Sequence, residues 1–249
     1  MRLLTLTACL AFGCVAAAEP ITLSGSIGGK AVFFDVNRNG DTVSGWYFYL
    51  KAGQQIRLDG KIDHHGFFDI QEYSAASNSR TGALGGRIKD GHWAGKWNSA
   101  GGQAPRTLSL DPLKDNLKTA NGRYHCIARR QDDDFGTALN HSLDLTLAKG
   151  RVTGLALSRS QHTGDEAPQR CALTARDLKQ IPARVGIALR TRRDGGRCTL
   201  TILGAGDYLV VRPGAAGEDC RAGTKFCTKD AFWTPLVLNR KTGRCVSVE

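Results

Sequence analysis

Apolar and polar residues alternate along most of this chain, and glycine-bearing turns break the alternation at intervals of about 8–12 residues. Gln55–Ile62 shows the pattern plainly. Ile56, Leu58, Gly60 and Ile62 fall on one side and Arg57, Asp59 and Lys61 on the other, the period of a half-buried strand. Upstream, Ala31–Leu50 holds two runs rich in β-branched and aromatic residues around the polar Asn37-Arg-Asn-Gly-Asp41. Asn39-Gly40 tolerates positive φ at both central positions of a tight turn, so the spacing predicts an antiparallel hairpin. Ile21–Ile27, Phe67–Tyr73, Thr81–Ile88, His92–Trp97 and Thr107–Leu110 complete eight predicted strands before residue 113.

A short unit recurs within this pattern: Gly40-Asp-Thr-Val43-Ser-Gly45, Gly91-His-Trp93-Ala-Gly95 and Gly150-Arg-Val152-Thr-Gly154. Each is a turn glycine, a strand residue, and a second glycine two residues later. Beyond residue 113, strands are predicted over Arg123–Arg130, Ser142–Leu147, Arg151–Ser158, Val185–Arg190, Cys198–Leu203, Tyr208–Arg212, Leu236–Leu238 and Cys245–Val248. One helix is predicted over Cys171–Leu178. Ala172, Leu173, Ala175, Leu178 and Ile181 approximate helical spacing, and Pro182 supplies a stop. The expected fold is all-β: an antiparallel meander barrel or sandwich, then a second, disulfide-stapled, mainly-β domain. Propeller blades fit the same strand spacing and are the alternative architecture.

Composition divides the chain. Met1-Arg-Leu-Leu, the apolar run to Val15 and Ala16-Ala17-Ala18 read as an export signal over residues 1–18. The run is shorter than the roughly 20 apolar residues of a membrane span. Removal leaves 231 residues, a β-meander domain over 19–112 and a basic, cysteine-bearing domain over 113–249, with the linker at Pro112–Ala120. Residues 19–111 hold 10 Lys/Arg against 9 Asp/Glu, whereas 112–249 hold 23 against 14. The second part therefore carries a positive field that favours acidic partners. Export points to the periplasm or the exterior and away from nucleic acid.

Six cysteines remain after the signal, Cys126, Cys171, Cys198, Cys220, Cys227 and Cys245, an even set that in an exported chain reads as disulfides. Of the 15 possible connectivities, the sequence favours Cys220–Cys227 for its short loop, Cys198–Cys245 joining strand to terminus, and Cys126–Cys171 by elimination.

Candidate chemistry is sparse. Asp35-x-Asn37-x-Asn39-Gly40-Asp41 matches half a calcium loop, but Trp46 stands where the bidentate acid belongs, so a hairpin turn is the better reading. His64-His65 are adjacent and lack further ligands at metal spacing, and no G-x-S-x-G elbow occurs. The expectation is no catalytic residue, no metal and no cofactor. Basic clusters occur at Arg129-Arg130, Arg190–Arg197, Arg221–Lys229 and Arg240-Lys241-x-x-Arg244. The Cys220–Cys227 loop is the predicted binding element, with Arg221, Lys225 and Phe226, flanked by Trp233. A rigid cationic finger with an apolar shoulder suits a carboxylate-lined cleft.

Gly122-Arg-Tyr-His-Cys126 and the Cys198–Cys245 segment resemble the periplasmic lysozyme-inhibitor and immunity-like proteins of Gram-negative bacteria. The resemblance implies an exported, non-enzymatic inhibitor of a cell-wall hydrolase. An envelope adhesion or anionic-ligand-binding module is the alternative.

Overall fold

A computed structural model describes residues 19–75, 77–114, 117–132, 137–163, 169–192, 199–213 and 235–247. Eight antiparallel strands form a closed barrel: β1 (Glu19–Ile27), β2 (Lys30–Asn39), β3 (Thr42–Tyr49), β4 (Gln55–Ile62), β5 (Phe67–Ser74), β6 (Arg80–Lys89), β7 (His92–Ser99) and β8 (Arg106–Pro112). Each pairs with its sequence neighbour, and β8 closes on β1 from Leu23↔Pro112 to Ile27↔Leu108. Closure removes the sheet edges that an open meander would leave exposed. The inward positions of the alternation fill the barrel with Leu23, Phe34, Val36, Tyr47, Leu58, Ile70, Leu84, Trp93, Trp97 and Leu110, among others.

The recurring glycine unit has a structural reason. Its first glycine takes positive φ in the turn (Gly40 59°, Gly91 81°, Gly150 69°), where other residues are strained. In the barrel its second glycine points inward where neighbouring backbones crowd. A Cβ on Gly95 would lie 2.2 Å from the Gly85 carbonyl oxygen, and one on its partner Gly86 would lie 2.8 Å from the Phe68 ring. The opening hairpin differs in detail from its prediction. Asn39 pairs with Thr42, so the turn centres on Gly40-Asp41 and only Gly40 has positive φ.

Two further sheets follow. One has the order β12-β11-β10-β9, with β9 (Gly122–Asp132), β10 (Thr137–Ala148), β11 (Arg151–Thr163) and β12 (Gln169–Thr174). The other runs β13 (Leu178–Ile181), β14 (Ile187–Thr191), β15 (Thr199–Ala205), β16 (Tyr208–Pro213), β17 (Leu236–Asn239) and β18 (Cys245–Ser247) in sequential order. Their facing sides share one core, with Leu143, Leu145 and Leu157 against Ile187, Leu200, Ile202 and Leu209.

The helix predicted over Cys171–Leu178 is absent. The segment is strand β12, a single 3-10 turn at Ala175–Asp177, and strand β13. Leu173 and Leu178 are buried while Ala172 and Ala175 face solvent. Two alanines supply too little apolar area to define a helix face, and Thr174 and Asp177 close only one capped turn. Pairing with β11 and β14 takes both flanks.

The six-stranded sheet is covered on both sides, which explains why all seven residues of β15 are buried. Its second side, through Leu203, Ala205, Val210 and Val237, packs on the outer face of the barrel at Phe33, Phe48 and Leu50. Five consecutive residues of β2, Val32–Val36, are accordingly buried. Within this seam Arg212 of β16 forms an ion pair with Asp35 of β2, which also accepts a 3.3 Å hydrogen bond from Thr22. Asp35 thus lies mid-strand, committed to Arg212 rather than to a calcium loop. The linker is pegged at both ends, Leu113 in the seam and Leu117 in the core between the two sheets.

Cys126 of β9 is bonded to Cys245 of β18, across 119 residues of sequence. This overturns both the Cys126–Cys171 and the Cys198–Cys245 pairings. The two cysteines stand on the outermost strands of different sheets, and only the stacking of those sheets brings them together. Residues 1–18, Cys198, Cys220 and Cys227 lie outside the described residues, as does the side chain of Cys171.

Candidate functional site

The predicted binding residues Arg221, Lys225, Phe226 and Trp233 also lie outside the described residues. Within them, three parts of the fold meet around an open groove of about 790 Å³. The barrel contributes the β3–β4 turn, held by hydrogen bonds from Leu50 N to Ala31 O (3.0 Å) and from Gly53 N to Tyr49 O (3.0 Å). Leu50 points into the seam and Lys51 outward. Sheet β9–β12 contributes Ile127. Cys126 and Ala128 face the core, so strand period turns Ile127 outward, 48 % exposed.

The third part is the β17–β18 hairpin. The Asn239 side chain accepts hydrogen bonds from Lys241 N (2.9 Å) and Thr242 N (3.1 Å), while Gly243 takes φ 69° to close the turn. Asn239 is suited to this because its short amide mimics a backbone turn. The hairpin is tied to the β15–β16 turn by Arg240, which donates to Gly206 O, and by the Lys241–Asp207 ion pair at 2.8 Å. The disulfide fixes its far side to β9. Two of the three cations in the Arg240-Lys241-x-x-Arg244 cluster are therefore spoken for. Arg244 stands exposed at the rim, as does Lys51 across the groove. The lining is mixed: Leu50, Ile127, Tyr208, Val237, Val246 and the disulfide at Cys245 alternate with Asn239, Thr242 and the two cations.

Other polar groups are engaged locally. Glu72, buried inside the barrel, accepts hydrogen bonds from the Tyr47 hydroxyl (2.6 Å), the Trp97 indole (2.7 Å) and the Thr81 hydroxyl (2.7 Å). Burial, reinforced by the Glu72 carboxylate, pushes the Tyr47 phenol well above its ordinary pKa. His92 meets Asp111 at 2.9 Å and His125 meets Asp144 at 2.7 Å, both on outer strand faces. The His64 and His65 rings lie 3.8 Å apart, tilted by 43°, at the β4–β5 turn, which Asp63 caps through the backbone amides of His65 and Phe67. His141 is buried beside its cross-strand neighbour Arg159, and burial first, then that charge, lowers its pKa to about 4. Among the described residues no three His, Cys, Asp or Glu side chains converge as metal ligands. A smaller cleft of about 210 Å³ near β13 has its Arg192 side chain bonded to Leu178 O.

Sequence reasoning missed Lys51 and Ile127. A signal for Ile127 existed: it is an isoleucine on the polar side of an alternating strand, between His125 and Arg129. Comparison with models of protein families, with curated proteins and with solved structures finds no match to this chain.

Proposed function

We propose that this chain is an exported, non-enzymatic binding protein of the cell envelope, of the inhibitor or immunity type, directed at a cell-wall hydrolase. The observation that carries the reading is the preformed groove, with a mixed apolar and polar lining and the exposed cations Lys51 and Arg244, on a scaffold tied by a disulfide and a buried ion pair. A surface already ordered loses little conformational freedom on association, which favours tight binding. The cationic rim adds steering toward the carboxylates of a hydrolase cleft. The Cys220–Cys227 loop, with Arg221, Lys225, Phe226 and Trp233, is proposed as a second contact.

The test uses residues 19–249, produced with disulfides formed, and labelled sacculi digested by the muralytic enzymes of an envelope extract. The expected result is saturable loss of digestion together with a stable one-to-one complex with one hydrolase. Undiminished digestion at large excess of the protein, or digestion of sacculi by the protein itself, overturns the reading. The exposed rim cations Lys51 and Arg244 also favour a second reading, an anionic-polymer-binding module. That reading requires direct binding to sacculi that weakens steeply as salt rises.

A further inference from the structure

We infer that the groove takes an acidic segment of a partner protein, one that places a large apolar side chain against Ile127 and carboxylates toward Lys51 and Arg244. The inference rests on the binding-protein reading and adds the chemistry of the partner. Three observations carry it.

The first is an apolar surplus. Ile127 is 48 % exposed although its own strand alternates polar residues outward, and it lines the groove together with the half-buried Tyr208 and Val246. Exposed apolar surface rimmed by polar groups marks an interaction site. The second is charge. The cationic side chains in the groove's lining are Lys51 and Arg244, both exposed, while nearby Lys241 pairs with Asp207 and Arg240 donates to the Gly206 carbonyl. The third is shape. The groove is open to solvent and lies between two turns, each fixed by backbone hydrogen bonds. A site open to solvent between two turns admits a chain segment, whereas an acyl tail is better served by an enclosed cavity.

The probe is a capped heptapeptide alternating Asp or Glu with Leu or Phe, titrated into isotope-labelled protein of residues 19–249. Its counterpart carries Lys at every acidic position. Amide resonances of Lys51, Ile127 and residues 242–246 should move with the acidic peptide and stay in place with the basic one. The double variant Lys51→Glu/Arg244→Glu should weaken binding by about tenfold and remove its salt dependence. Ile127→Asp should abolish it. All three side chains are exposed, so an unchanged spectral dispersion verifies that each variant folds.

Equal response to both peptides, response confined to other residues, or no response overturns the inference. So does movement of the groove amides by phosphatidylglycerol vesicles in place of the peptide. The triple variant Lys51→Glu/Arg244→Glu/Ile127→Asp separates the two claims. If it still blocks sacculus digestion, the protein is an inhibitor that uses another surface.

Discussion

Glu72 shows how a single residue holds one end of the barrel. Its carboxylate is 3 % exposed and accepts from Tyr47, Trp97 and Thr81, so three donors that would otherwise be buried without partners converge on one acceptor. Tyr47→Phe keeps the ring that stacks on Phe34 and removes only the donor to a charged group. The expected cost is about 1.5–3 kcal/mol, read as a lower urea midpoint at unchanged slope. His141 acts in the opposite sense. Its pKa falls from 6.5 to about 4 because burial and Arg159 disfavour the charged ring. Between those values the unfolded chain binds more protons than the folded one, so stability rises with pH across this window. The contribution is present above pH 6.5, is lost as pH falls through about 4, and amounts to about 3 kcal/mol. His141→Gln should flatten that part of the denaturation midpoint against pH, and a slope that persists in the variant refutes the assignment.

At the scale of elements, the period-two pattern was legible because one side of most strands faces water. Strands β4 and β5 and the two hairpin arms β6 and β7 fall where alternation put them. Alternation fails where both sides are buried. Phe33 and Phe48 belong to the seam while Phe34 and Tyr47 belong to the barrel interior, so Ala31–Phe34 of β2 and Trp46–Tyr49 of β3 read as continuous apolar stretches. The sequence could have shown that a second layer covers them, but not which one. Segment Cys171–Leu178 was misread for a related reason: its alanines carry too little area to mark any face, and strand pairing with distant residues decides its conformation. The disulfide partner of Cys126 was illegible because it depends on two sheet edges meeting. The glycine unit was visible, yet its crowding was not. At Gly95→Ala the new Cβ would sit 2.2 Å from a backbone oxygen that no rotamer can move. The expected loss is about 1–3 kcal/mol. Gly101→Ala is the control: its Cβ meets nothing nearer than Ser99 Oγ at 3.6 Å, and stability should stay level or rise slightly. Equal effects of the two substitutions would refute the crowding account.

For the whole molecule, the question is what sets the barrel against the six-stranded sheet. Apolar contact at Phe33, Phe48, Leu203 and Val237 supplies attraction but little direction. The Asp35–Arg212 pair supplies direction, because it forms only when β2 and β16 lie in one alignment. Its setting is dry: Asp35 is buried, and burial alone pulls the Arg212 guanidinium down to about 10, leaving it protonated at neutral pH. Desolvation makes such a pair a weak source of net stability, yet removal of one partner strands the other charge, at a cost of about 3–5 kcal/mol. Asp35→Ala should therefore destabilise strongly. It should also expose Trp46, which stacks on Phe48 at 5.6 Å and is packed against the seam, giving a red-shifted emission before global unfolding. The double replacement Asp35→Leu/Arg212→Met removes both charges and keeps comparable volume. It should recover most of the lost stability, while a seam that relied on the pair for alignment would keep the Trp46 emission heterogeneous. If Asp35→Ala unfolds at the same urea concentration as the parent protein, the pair has no part in joining the two units. The groove at Lys51, Ile127 and Arg244, which this same alignment assembles, would then owe its shape to apolar packing and the Cys126–Cys245 bridge.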